Sequence, residues 1–372
     1  MDLYEVAQNL IKFRTETGNI EQIDHCVEYI TGLFAGTAAK VKVFREEPNA
    51  PVIYISTTDD MHLDALVLGH IDVVPADEAM FSPRFEEGKM LGRGSLDMKS
   101  FAAVALCSMD YVLHCLPDLK FGIILSSDEE TGSKGTEKFL EKFSDLNANV
   151  VLDNDVGGDI TKIITKCKNP LFIKLKAYGK EAHGSTPWEG IDANEKLMQT
   201  WENLRKIYPY YSLEGNKPSD DWTDTLHFAQ ISGGTASNVI SDYAEAVLDF
   251  RLTENSKVDT LLQNIRKCLP DGVEFEIISQ GVPVVMNEND AMILQYKSIA
   301  ENILQQKIEF EHIGGATDSR AFAQKGAVVV MHSGTGEGMH AKNEYVVWRS
   351  VEQLSDIQIK FLQHFASAKN KK

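Results

Sequence analysis

The feature that most constrains this chain is a series of short apolar runs, each closing on acidic or imidazole side chains. Ala65-Leu66-Val67-Leu68 leads to His70 and Asp72, Phe121 to Ser127 leads to Asp128-Glu129-Glu130, and Val150-Val151-Leu152 leads to Asp153-Asn154-Asp155. Apolar runs of this length, rich in β-branched residues, read as buried strands of an α/β sheet. Ligands bind outside strand ends in such sheets, whereas purely structural strand ends more often carry turn residues alone. Three acidic exits therefore point to a site along one edge of a sheet.

The spacing His70-x-Asp72 places both side chains on one side of an extended backbone. A metal-binding histidine commonly passes its second ring N–H to a carboxylate in that geometry; alone, the pair reads equally as a strand-end histidine bonded to its neighbour. Gly92-Arg93-Gly94-Ser95-Leu96-Asp97 then turns into the apolar helix Ser100 to Leu113. Asp97 is there either an N-cap or a carboxylate held rigidly enough to bridge two cations. Of the adjacent acids Glu129 and Glu130, one can ligate a cation while the other takes a proton from water. The glycine-rich stretch His332 to Glu344 lacks the Lys-Ser/Thr of a phosphate loop and reads as a flexible loop that brings His340 to a metal. The turn Gly314-Gly315, followed by Arg320, suits contact with an anionic group through backbone N–H donors.

The alternation of helices and strands predicts an α/β sandwich with a mixed sheet. From about Pro170 the strands become half-exposed and the order becomes β-α-β-β-α-β, which predicts an inserted ferredoxin-like α+β domain. The expected organisation is a catalytic domain over residues 1–169, an inserted lid or dimerisation domain over 170–284, and the rest of the catalytic domain over 285–372. The polar stretch Tyr208 to Thr225 is expected to be a loop over the substrate.

A net charge of −18 on 372 residues, with no Lys/Arg run interleaved with aromatics, argues against nucleic-acid or anionic-membrane partners. No apolar run reaches membrane-spanning length and the start lacks a signal-peptide pattern, so a cytoplasmic location is expected. Cys26, Cys107, Cys115, Cys167 and Cys268 lack CxxC spacing and read as reduced thiols.

Taken in order, His70-x-Asp72, Gly92-Arg93-Gly94 with Asp97-Met98-Lys99, Glu129-Glu130, His183-Gly184, Asn238, Gly314-Gly315 and His340 make the chain resemble a known family. It is the family of dinuclear zinc hydrolases that includes aminoacylase, acetylornithine deacetylase, succinyl-diaminopimelate desuccinylase, glutamate carboxypeptidase and related di- and tripeptidases, and the match runs over nearly the whole chain. The resemblance implies two Zn2+ per subunit, with Co2+ or Mn2+ as substitutes. The first zinc would be held by His70, Asp97 and Asp153 (or Asp155), the second by Asp97, Glu130 and His340. Asp72 would orient His70, and Glu129 would be the general base for cleavage of an amide in a short peptide or N-acyl amino acid. His183 would reach the oxyanion across a homodimer formed through the inserted domain. Asn238, Arg251, Gly314, Gly315 and Arg320 would bind the substrate carboxylate, and the peptide bond after Asp97 would be cis. An aspartate as third ligand leans towards peptidases, and Ser241 stands where many relatives carry proline. The alternative function is a non-catalytic, metal- or small-molecule-binding descendant of the same fold.

Overall fold

The computed structural model describes residues 1–208 and 222–369, so most of the loop expected over the substrate lies outside the described residues. The chain divides into two compact units: one comprises residues 1–165, 286–311 and 317–372, the other residues 166–285 and 312–316.

The first unit is built on a mixed sheet. Strands Phe121–Ser126, His62–His70, Asn147–Asp153 and Val328–Met331 lie side by side and parallel, in that order. Antiparallel strands Val52–Ser56 and then Lys40–Phe44 extend one side, and Lys162–Cys167 pairs with the other. Every residue of Val52–Ser56 and Phe121–Ser126 is buried, which is why these strands read as unbroken apolar runs rather than alternating ones. The register sets His70 opposite Ser126, and Asp153 opposite both Leu68 and Met331. All three acidic exits therefore leave the same edge of the sheet.

The helix Lys99–Cys115 packs in the main core, where Phe101, Ala102, Val104, Leu106 and Met109 are buried with Ile123, Leu152 and Val330. Its N-cap position is Met98 and no side chain caps it, so Asp97 is not spent on capping. The helix Trp348–Lys369 adds Val351, Leu354, Ile357 and Phe361 to the same core. Beside the sheet stands a small antiparallel group of strands, Gly336–Glu337, Tyr345–Val347, Lys89–Leu91 and Arg84–Glu86. It joins the loop of His340 to the turn of Asp97, because Tyr345 pairs with Leu91.

The second unit has the order β-α-β-β-α-β. Its antiparallel sheet runs Thr225–Gly233, Tyr243–Leu252, Asn169–Tyr178, Val273–Gln280, and its helices are Ala193–Arg205 and Val258–Cys268. Alternation along Asn169–Tyr178 buries Leu171, Ile173, Leu175 and Ala177, and these join Leu197, Leu204, Leu261 and Ile265 in a core of their own. An α/β unit with a mixed sheet thus carries an inserted ferredoxin-like one. All five cysteines are free thiols, four of them buried.

Candidate metal centre

Asp97 lies between two imidazoles. Its Oδ1 is 3.0 Å from His70 Nε2 and its Oδ2 is 3.0 Å from His340 Nε2. Asp155 Oδ2 stands 3.8 Å from the same His70 nitrogen, and Glu130 Oε2 stands 3.1 Å from the same His340 nitrogen. Two triads result, His70–Asp97–Asp155 and Asp97–Glu130–His340, and the potential ligand atoms of each lie within 4.8 Å of one another. They share one carboxylate.

Each member is placed by local structure. His70 ends its strand with its Nδ1 3.0 Å from the backbone carbonyl of Asp72 and 3.4 Å from the Asp72 carboxylate. That carboxylate also accepts from the backbone N–H groups of Glu129 and Glu130, both at 3.2 Å, and from Thr17 Oγ1 at 2.9 Å. Asp72 therefore orients His70 chiefly through its carbonyl, and its carboxylate fixes the turn that presents the acid pair. His340 has a φ of +61°, a left-handed conformation uncommon outside glycine, at the tip of a tight hairpin. The Asp97–Met98 peptide bond is cis.

Of the two aspartates left open as third ligand, the structure brings Asp155 into the group and not Asp153. Asp153 Oδ1 accepts from the backbone N–H of Asp155 at 3.0 Å, and its Oδ2 accepts from Thr317 Oγ1. Two residues on, Asp155 is free of the strand and reaches the imidazole. Period-two alternation cannot separate the two, because both point to the same side.

The electrostatics call for positive charge. Bonds from Asp97 and Glu130 push His340 up to about 10, and bonds from Asp72 and Asp97 hold His70 well above its ordinary value against the burial that lowers it. Asp97 is held far below the usual carboxylate range by both imidazoles, despite its burial. Burial first, and then the charge of Asp97, drive Asp155 well above the usual range. A ring nitrogen and a carboxylate oxygen 3.0 Å apart need a proton or a cation between them. Glu130 Oε1 is buried with no hydrogen-bond partner among the described residues. Imidazole and carboxylate donors without thiolate suit zinc, cobalt or manganese, so the residues present fit divalent cations.

Glu129 is half-buried, lines a small cavity with His70, Asp155 and Asp318, and is raised to about 8 by burial, with Asp318, Asp72 and Glu130 adding to the shift. A cation beside it would draw that value down.

Residues 66–364 match the family model described as Peptidase family M20/M25/M40. The chain belongs to that family. Among curated relatives, this M20 hydrolase is 27% identical over 324 residues to a succinyl-diaminopimelate desuccinylase of Acinetobacter baumannii, covering 80% of this chain and 82% of the relative. It is 25% identical over 383 residues to the enzyme of that name from Aliarcobacter butzleri, covering 98% and 100%. Among solved structures, an M20 family metallo-carboxypeptidase from Sulfolobus solfataricus superposes with a TM-score of 0.81 at 18% identity, over 98% of this chain and 100% of the other. A tripeptidase from Staphylococcus aureus superposes with a TM-score of 0.77 at 17% identity, over 98% of each. These two likenesses speak to the fold, and family membership implies use of a divalent metal.

The other sequence candidates of this M20 member are not members of the triads. His183 is exposed in the second unit, where its Nδ1 lies 2.7 Å from Ser185 Oγ and accepts from the Ser185 backbone N–H at 3.2 Å. The Asn238 backbone carbonyl accepts from the Gly184 backbone N–H. Arg251 is held by Asp249 through Nε and Nη2, at 2.8 and 3.2 Å, over the Phe172 ring. A Cβ added at Gly314 or Gly315 would meet no backbone or tight contact. Arg320, in the first unit, donates to the Thr317 carbonyl and faces Asp318 at 3.7 Å. Sequence reasoning passed over Thr17 and Thr317, which anchor Asp72 and Asp153, and the buried pair Arg93–Glu344. No helix among the described residues is long and apolar enough to cross a membrane.

Proposed function

We propose that this M20 hydrolase cleaves an amide in a short peptide or N-acyl amino acid, with a divalent cation at each of the two triads that share Asp97. The observation that carries the reading is Asp97 itself, one carboxylate whose two oxygens face two imidazoles from opposite ends of the chain. His70, Asp97 and Asp155 would hold one cation, and Asp97, Glu130 and His340 the other. Bound zinc would polarise the scissile carbonyl and bring the acidity of water towards neutrality.

The chain's own residues carry the proton. Glu129 takes it from the attacking water and returns it to the leaving amine, and Asp72 keeps Glu129 in place by accepting its backbone N–H. His183 is the candidate oxyanion donor. Because its Nδ1 accepts from Ser185, a neutral ring carries its proton on Nε2, the state an oxyanion requires. The names of the relatives offer both desuccinylation and peptide cleavage. A cytoplasmic location and a homodimer complete the proposal.

The test is a panel of di- and tripeptides with N-acetyl, N-succinyl and N-carbamoyl amino acids, run with zinc-loaded wild type and Glu129→Gln. Turnover lost in the variant while bound zinc is retained supports the hydrolase and names its substrate class. No turnover across the panel, with both cations bound, would favour the non-catalytic binding protein.

A further inference from the structure

Each acidic member of the two triads donates its own backbone N–H to a carboxylate that belongs to neither triad. Glu130 donates to Asp72, Asp155 to Asp153, and Asp97 to Glu344. Glu344 is the least expected of these. It lies four residues beyond His340, is 1% exposed, and accepts through Oε1 from the backbone N–H groups of Leu96 at 2.9 Å and Asp97 at 3.2 Å. Its Oε2 takes the Arg93 guanidinium, 3% exposed, whose Nε is buried with no partner among the described residues. The Glu344 carbonyl accepts from the Gly92 backbone N–H at 3.2 Å.

A buried ion pair is weak evidence for stability, because desolvation of both ions offsets their attraction. This one sits where the strand Tyr345–Val347 pairs with Lys89–Leu91, at the joint between the two segments that supply Asp97 and His340. Gly338 closes the His340 hairpin so tightly that a Cβ there would come within 2.8 Å of the Asn343 carbonyl, and the Ala341 N–H bonds the Gly338 carbonyl at 2.8 Å. The hairpin is thus stiff within itself, and its attachment to the Asp97 turn passes through Glu344.

We propose that Glu344, neutralised by Arg93, is a positioning residue that sets the distance between Asp97 and His340 and so tunes affinity for the cation of the Asp97–Glu130–His340 triad. This rests on the metal-centre reading above. Partners that orient metal ligands typically change affinity by about 10–100-fold when removed.

The test titrates metal-free protein with Co2+ and Zn2+ by calorimetry, together with the visible absorption of bound Co2+. Glu344→Ala should bind one cation about 10–100-fold more weakly than wild type, with an altered Co2+ spectrum. Glu344→Gln keeps an oxygen for Leu96 and Asp97 but turns an amide donor towards Arg93, so it should also weaken that site. Arg93→Met/Glu344→Gln removes the clash and should recover most of the affinity. Ile30→Ala, a core truncation in the helix Ile20–Leu33, serves as the destabilised control and should leave both affinities unchanged. Wild-type affinities and spectrum in Glu344→Ala, or a loss matched by Ile30→Ala, would overturn the proposal. Should Glu344→Ala fail to fold, equal affinities in Glu344→Gln and the double variant would overturn it instead. A wild type that binds no divalent cation would overturn the metal-centre reading itself.

Discussion

His340 and His183 are both exposed, yet they meet different kinds of partner. The Nε2 of His340 faces Asp97 and Glu130, which come from distant parts of the chain, and its protonation is governed by them. The ring of His183 is held by Ser185, two residues away. The same contrast separates Asp97 from Arg251, whose partner Asp249 is also two residues away. Two imidazoles and two further carboxylates crowded from distant parts of the chain around Asp97 call for protons or cations between them, whereas groups satisfied by near neighbours ask for nothing more. The first unit therefore carries a site in its own geometry.

The largest way to break this contrast is Asp97→Ala. It should abolish turnover and remove both cations, read by metal analysis; retention of one cation at full affinity would show that the triads are independent. Glu129→Gln should lower kcat by about 10²–10⁴ with metal content unchanged. His183→Ala should lower kcat by about 10²–10³ without affecting metal binding; an unchanged kcat would leave His183 as a surface histidine. A smaller effect tests the back of the site. His332 is fully buried, donates through Nε2 to the Ile160 carbonyl at 2.7 Å, and is pushed down to about 4 by burial. A histidine held neutral in the fold takes up its proton more readily when unfolded, so its contribution is complete above the unfolded value of about 6.5 and is lost as pH falls towards 4. Wild type should lose up to about 3 kcal/mol more than His332→Gln between pH 7 and pH 4 in denaturant titrations. The smallest effect is Arg251→Met, which should leave KM unchanged and cost about 0.2–1 kcal/mol of stability. A large rise in KM would return Arg251 to the substrate.

The strands were legible because each buried run is apolar and each exit carries an imidazole or carboxylate, as at Leu68–His70 and Leu152–Asp153. Glycine spacing around Asp97 drew attention to the turn. The choice of Asp155 over Asp153 was not legible, since it depends on Thr317, a residue 164 positions away that takes the Asp153 carboxylate. Glu344 escaped notice for a similar reason: its partners, Arg93 and the N–H groups of Leu96 and Asp97, become visible only once Tyr345 is paired with Leu91. Periodicity reports which side a residue faces, and long-range pairing decides what it meets there.

The central claim is that Asp97 bridges two cations, and anomalous diffraction from zinc-loaded crystals at the zinc edge tests it most directly. The expected map holds two peaks flanking the Asp97 carboxylate, one contacted by His70 and Asp155 and the other by Glu130 and His340. A single peak, or two peaks that do not share Asp97, would contradict the account.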